Sequence, residues 1–406
     1  MSKNSSCATI VGLDIGTTKT CAVVATATSS GLDIIGVGEA PCSGLRKGVI
    51  TDLEETVRSI EAATEKAERM AGVHISHVYV GVTGEHIAST NNRGVVAITG
   101  DDREVARNDV RRVVEASKLI DVGNDRQIIH TLPRRYTVDG HDGITDPIGM
   151  SGARLEVDTH IITGGNTFIT NVLKCVHRAG LEPAGIVFEP LASSAATLLA
   201  EEKHVGVVLL DIGGGTTDIA VYSGGGAIHT STIPVGGNIL TNDIALGLKT
   251  TFVEAESIKR TIACAINEPT GEDFSVKTLD GRMTKTVSRA QLRAIVAPRL
   301  HEIFRMVKTA LAALPRDVML AEVVITGGGA HLRGIEQAAS EFFGLPARIG
   351  VPTAVGGLTD AVKQPEFATA VGLVLFGPRG DGAIWHAGKS RSPLSGIAAW
   401  FGDLWN

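Results

Sequence analysis

Cysteine is scarce and scattered. The chain of 406 residues has five: Cys7, Cys21, Cys42, Cys175 and Cys264. They are odd in number and never spaced as Cys-x-x-Cys, so neither a disulfide framework nor a zinc site is expected, and a reducing compartment fits. Excess positive charge is missing as well. With 38 Lys and Arg against 44 Asp and Glu, the net charge is −6, which leaves no basic footprint for nucleic acid. No run approaches the roughly 18 consecutive apolar residues of a spanning helix, and Met1–Ala8 carries Lys3 without the apolar stretch of a signal peptide. His74 and His77 lie three apart in a strand-like segment and face opposite ways, so they do not suggest a metal pair. Aromatics make up only 4% of residues whereas glycines number 48. That mix suits short strands and tight turns, hence an α/β protein of two domains or two lobes.

The two commonest nucleotide signatures are also absent: there is no GxxxxGK[ST] loop, and no GxGxxG follows a strand. What is present is an internal repeat. Leu13-Asp14-Ile15-Gly16-Thr17-Thr18 recurs as Leu210-Asp211-Ile212-Gly213-Gly214-Gly215-Thr216-Thr217. Each copy follows an apolar strand (8–13, 205–210) and precedes another (20–25, 218–222), so each reads as a β-hairpin, and two hairpins imply two related lobes.

The spacing of Leu53, Val57, Ile60, Ala63, Ala67 and Met70 predicts an amphipathic helix opened by Asp52 with Glu55 and closed at Gly72. Residues 1–83 and 164–204 are expected to form the first lobe, with 367–377 returning to it. The rhythm breaks over 84–163, read as an inserted subdomain with strands at 94–98, 126–131 and 155–162 and a charged helix near 103–119. A strand at 184–188 is expected to lead into a helix from Ala192 to Glu201. The second lobe takes 205–251 and 315–366, with a largely helical insert over 252–314. A Gly/Ser/Arg/Pro-rich linker (378–393) precedes a terminal helix (394–406).

A Gly-Thr-Thr turn can offer backbone N–H groups and hydroxyls to a phosphate, with Gly16 permitting close approach and Lys19 supplying charge. At the strand ends, Asp14 and Asp211 suit a Mg²⁺ held through water. One such loop would pass as an ordinary turn; the pair does not. Val323–Gly334 is an apolar strand running into Gly327-Gly328-Gly329, which lets a flat group lie against backbone.

In their order, the two phosphate-type hairpins and the strand-GGG turn resemble the actin-like (ribonuclease H-like) ATPase superfamily. The resemblance implies a two-lobe α/β fold with ATP and Mg in the interlobe cleft, contacted by Gly16, Thr17, Thr18, Lys19 and the segment Gly213–Thr217. Phe188-Glu189-Pro190 resembles the interlobe connection, which implies that Glu189, together with Asp211, serves any hydrolysis. Ala255-Glu256-Ser257-Ile258-Lys259 resembles the helix that meets ribose and adenine, giving roles to Glu256 and Lys259. An ordinary surface Glu/Lys pair would look the same.

Asp146–Glu156 and Val235-Gly236-Gly237-Asn238, with Thr241 and Asp243-Ile244-Ala245, resemble the FtsA family of bacterial cell-division proteins over about residues 9–376. That family resemblance adds Gly236 and Gly237 to the nucleotide site. It implies a protein that polymerises with itself, is at most a slow ATPase, and works at the cytoplasmic face of the inner membrane. It also implies binding of the FtsZ C-terminal peptide through the second-lobe insert and of later division proteins through the inserted subdomain. Arg299, in an Ala297-Pro298-Arg299 stretch similar to the family's Glu-Pro-Arg, is the candidate for gripping a peptide carboxylate. A pilus-assembly relative, a small-molecule kinase and a chaperone ATPase share the fold and remain alternatives.

In the tail, Leu394, Ile397, Phe401 and Leu404 form a helical apolar stripe flanked by Trp400 and Trp405, too short to span but fit to lie in a membrane interface. The family implies the same membrane-targeting helix. This one carries Asp403 and no basic residue, so its lipid binding is expected to rest on apolar insertion.

Overall fold

The computed structural model describes residues 9–376 except 30, 101 and 267–271. The expected linker (378–393) and terminal helix (394–406) lie outside the described residues, as does Gly377.

Two sheets share one topology. In the first, strands run in the order 182–188, 77–82, 9–15, 19–28 and 31–41, with a two-residue strand 356–357 at the far edge. In the second the order is 347–349, 322–326, 207–212, 217–223 and 226–233. In both, the repeated Leu-Asp-Ile strand pairs antiparallel with the strand after its turn and parallel with a strand that arrives through a crossover. The sequence repeat is therefore a repeat of five-stranded units. Val207–Ile212 is buried along its whole length, as an apolar strand covered on both faces should be.

Helix Leu53–Ala71 crosses over the first sheet. Asp52 caps it by accepting the Glu55 N–H at 3.0 Å, and Gly72 ends it in the left-handed region at φ 68°. Its buried face includes Val57, Ile60, Ala63 and Ala67, and the small residues there allow close contact with the sheet. A β-carbon on Gly38 would lie only 2.0 Å from the Ala63 carbonyl. Burying Ile60 completely contributes about 1.5–3 kcal/mol. Each lobe has its own core, one around Ile10, Val23 and Leu373 and another around Leu210, Ile325 and Phe304. A third cluster, including Phe188, Leu191 and Leu209, joins the lobes.

Strands 87–97, 154–165, 126–138 and 141–144 form a separate four-stranded sheet, covered by helix Arg107–Ser117. This sheet docks on the second lobe's edge strand through polar groups. His160 pairs with Asn91 (2.8 Å) and Thr230 (3.0 Å), and Ser89 donates to the Thr230 carbonyl.

Several elements differ from the sequence expectation. The helix after Phe188 starts at Glu189, not Ala192, because Pro190 at the first turn is preorganised for it, and it breaks after Thr197 before a short helix 200–205. Strand 31–41 and the hairpin 274–277/284–287 within the second-lobe insert were not anticipated. Helix Arg289–Leu311 runs through Pro298.

Candidate functional site

The two repeated turns meet tip to tip. Each closes the same way, with Gly16 N–H donating to Lys19 O (3.0 Å) and Gly213 N–H to Thr216 O (2.9 Å). A β-carbon on Gly214 would lie 2.5 Å from Thr18 Cγ2, and one on Gly215 would lie 2.5 Å from Thr17 Oγ1. Glycine is thus required there because a turn from the other lobe occupies the space a side chain would need.

Behind the turns is a cavity of about 100 Å³, and beside it a cleft of about 760 Å³. Asp14, Glu189, Asp211 and Asp218 line the smaller space and are all buried. Ser193 and Thr369 donate to Asp211 Oδ2 at 2.5 and 3.1 Å. Asp218 accepts from Thr83 (2.5 Å) and Thr232 (2.6 Å). Loss of solvation pushes Asp14 up to about 7, offset in part by Lys19 and reinforced by Asp211 and Asp218. Burial also raises Asp218 to about 7 and Asp211 above its usual range. Glu189 is raised well above the usual range, by burial first and then by Asp14, Asp218 and Asp211. Such a cluster of acids favours protonation until a cation arrives.

Glu189 begins its helix at the end of strand Glu182–Phe188, and the Phe188 N–H donates to buried His130 Nε2 at 2.9 Å. Gly81 faces it, where a β-carbon would come within 3.2 Å of the carboxylate.

The larger cleft is lined by Thr17, Thr18 and Lys19 on one side and by Gly213, Gly214, Gly237, Glu256, Lys259, Gly328 and Gly329 on the other. Glu256 accepts from Thr241 (2.6 Å) and pairs with Lys259 (2.7 Å). The Lys259 ammonium also donates to Gly237 O at 3.2 Å, so the Glu/Lys pair faces the cleft. Gly327 takes φ 79° beside Asp211, whose Oδ1 would lie 2.3 Å from a β-carbon there.

Four of the expected contact residues also have partners within the protein. Lys19 is ion-paired with Glu39 and lies over the Phe367 ring, 4.2 Å from its centroid, so its charge is already engaged. Thr217 is fully buried and donates to Val235 O at 2.7 Å. Gly236 packs against the second turn, a β-carbon there meeting Gly213 O at 2.5 Å, while Gly237 and Asn238 donate N–H bonds to Gly213 O (2.8 Å) and Gly214 O (2.9 Å). They brace that turn.

Far from this cleft in sequence, Arg299 makes a forked contact to Asp243 at 2.6 and 3.2 Å and also reaches Glu302. Leu394, Ile397, Trp400, Phe401, Leu404 and Trp405 lie outside the described residues. Sequence reasoning missed Asp218, Thr83, Ser193 and Thr369. Only Asp218 left a signal, an acid opening an otherwise apolar strand directly after the turn.

Two five-stranded units with identical topology, each sending a Gly/Thr turn into the cleft between them, define an actin-like fold. Solved structures agree: a PilM-PilN type IV pilus biogenesis complex is similar over 90% of this chain and 97% of that one, at TM-score 0.66 and 18% identity. MreB5 of Spiroplasma citri bound to ADP covers 90% and 94% at TM-score 0.55 and 16% identity. The models for cell division protein FtsA and for the SHS2 domain inserted in FtsA match residues 208–372 and 84–163. The cell division protein FtsA of Pseudomonas aeruginosa is 43% identical over 91% of this chain and 89% of its own length, and that of Escherichia coli is 38% identical over 91% and 90%. The chain belongs to the FtsA family of cell division proteins.

Proposed function

We propose that the chain is an ATP-binding adaptor that polymerises and ties the FtsZ ring to the inner face of the cytoplasmic membrane at the division site. The observation that carries the nucleotide part is the tip-to-tip approach of Thr17 and Thr18 to Gly215 and Gly214 over four buried acids. A polyphosphate seated there would touch both lobes at once, and structures with this fold hold ADP and AMPPNP in MreB5.

The residues present fit a Mg²⁺, because Asp14 and Asp211 are hard oxygen donors in a buried acid cluster and would hold such a cation beside the phosphates. Among the described residues no three Asp, Glu, His or Cys side chains converge to hold a metal unaided, consistent with a largely hydrated ion. When bound, Mg²⁺ would neutralise phosphate charge. Glu189 is the candidate for orienting a water for slow hydrolysis, held by the Phe188–His130 bond. Glu256 and Lys259 would meet the ribose and base, and Gly327–Gly329 the flat face of the base.

ATP acts here as a structural ligand. Joining the lobes fixes their closure and therefore the surfaces that meet head to tail in a filament. The FtsZ C-terminal peptide would dock on the second-lobe insert, where Arg299 must exchange Asp243 for a peptide carboxylate. Later division proteins would use the 84–163 subdomain. No helix among the described residues is long and apolar enough to cross a membrane; anchoring is assigned to Leu394, Ile397, Trp400, Phe401, Leu404 and Trp405. Co-sedimentation with liposomes, ATP and an FtsZ C-terminal peptide tests the proposal, full-length chain against one ending at Arg391. Retention of the peptide on vesicles by the full chain alone is expected; equal retention by both would refute the anchor.

A further inference from the structure

Glu189 lines two spaces, the acid cavity and a smaller one of about 20 Å³. Apolar residues such as Ile50 and Val82 form most of the smaller space, and the polar side chains on it are Thr83, His86, Asn171 and Glu189. Thr83 is already engaged with Asp218. His86 is not engaged in this way. Among the described residues neither of its ring nitrogens has a hydrogen-bond partner, although both are shielded from solvent. A shielded imidazole nitrogen left unpaired is costly, whether it is the donor or the acceptor of the ring.

The ring is held in place by stacking on Phe168, with centroids 4.6 Å apart and planes at 16°. Two close approaches show where the polar atoms lie. A β-carbon on Gly84 would be 3.0 Å from His86 Nδ1 and 3.4 Å from the Gly48 carbonyl oxygen, so Nδ1 lies near Gly48, which lines the small cavity. A β-carbon on Gly81, on the same cavity, would be 3.2 Å from Glu189 Oε1. One water needs about 10–15 Å³ and two to four polar partners, and this cavity offers both.

We propose that His86 is a positioning residue for Glu189, acting through one water held in this cavity between Nδ1 and Oε1. This rests on Glu189 serving ATP hydrolysis in the cleft. The bridge holds one carboxyl oxygen from the small cavity and leaves the other to orient the attacking water in the acid cavity. Burial, reinforced by Arg126, lowers His86 to about 4. The ring is therefore neutral at pH 7, and one nitrogen accepts while the other donates.

The test is steady-state Mg-ATP turnover by the full chain, wild type against four variants. His86→Phe keeps a flat ring on Phe168 and removes both nitrogens; His86→Asn restores a polar atom near the Nδ1 position. Glu189→Gln and the double variant His86→Phe, Glu189→Gln complete a cycle. In His86→Phe, kcat is expected to fall about tenfold or more while KM for ATP stays within about twofold, and His86→Asn should recover at least about a third of the wild-type kcat. The double variant should lose no more than Glu189→Gln alone, because one residue acts through the other. An unchanged melting temperature and ADP affinity check that His86→Phe leaves the cleft intact; His86→Leu serves the same comparison if the phenyl ring does not fit. A kcat within about twofold of wild type in His86→Phe, or a loss that adds in full to that of Glu189→Gln, overturns the assignment. If Glu189→Gln turns over ATP no more slowly than wild type, the hydrolytic reading of Glu189 itself falls, and the assignment with it.

Discussion

Thr17 Oγ1 occupies the space of a side chain on Gly215, 2.5 Å from where that β-carbon would be. Two residues nearly two hundred positions apart are thus matched in size, and the match sets how closely the lobes approach. Gly215→Val is expected to force the tips apart and weaken Mg-ATP binding by at least about tenfold. The melting temperature of the free protein should change little, since the turn lies at the cleft rather than in a core. Calorimetry and thermal scans check both.

Asp211→Asn separates binding from stability. The substitution removes one of four mutually repelling buried acids while keeping an acceptor for Ser193 and Thr369. The nucleotide-free protein should be as stable as wild type or more so. Mg-ATP affinity should fall about tenfold to a hundredfold, as for loss of a charged contact, read by titration with and without Mg²⁺.

Binding should also release protons. Asp14 and Asp218, raised to about 7 by burial, are partly protonated at neutral pH, and a cation would draw them back down. Mg-ATP affinity is therefore expected to rise between pH 6 and 8. Titrations in two buffers of different ionisation enthalpy should reveal the released protons.

Burial lowers His160 to about 3, with His229 and Arg134 adding to the effect. In the unfolded chain it titrates near its ordinary 6.5, so below that pH the unfolded state binds the extra proton. Stability is then lost as pH falls from 6.5 toward 3, by about 1.4 kcal/mol per pH unit at most for this group. Asp14 and Asp218 act with opposite sign, since the folded state holds their protons between their ordinary 3.8 and about 7. A comparison isolates the histidine: His160→Gln should have a more favourable change in stability than wild type on acidification from pH 6.5 to 5, measured by urea unfolding.

The anchor has its own test. Trp400→Glu should release the chain from liposomes, because a charge at that depth opposes insertion. Sedimentation with vesicles at unchanged levels would contradict the tail assignment.

Much of the fold was legible because the repeat is local: Leu-Asp-Ile-Gly and its twin each carry strand, turn and glycine within a few residues. Capping residues at Asp52 and Gly72 fixed a helix in the same way. Strand Gly31–Pro41 was hidden because its glycines, Gly36 and Gly38, look like turn formers. They are there to admit the crossover helix, a contact no local pattern reveals. Lys19 was read from its position beside the turn and does line the cleft, but its pairing with Glu39 from the neighbouring strand was not visible in the spacing. Asp218 and Thr83 come from different lobes and meet only in the folded chain. Side chains that depend on such distant partners leave no trace in spacing.

The central claim, that both hairpins hold one nucleotide, is tested most directly by amide hydrogen exchange with and without Mg-ATP. Slower exchange is expected at Gly16–Lys19 and Gly213–Thr217 together, in the same titration range. Protection of one turn alone, or of neither at saturating Mg-ATP, would contradict it.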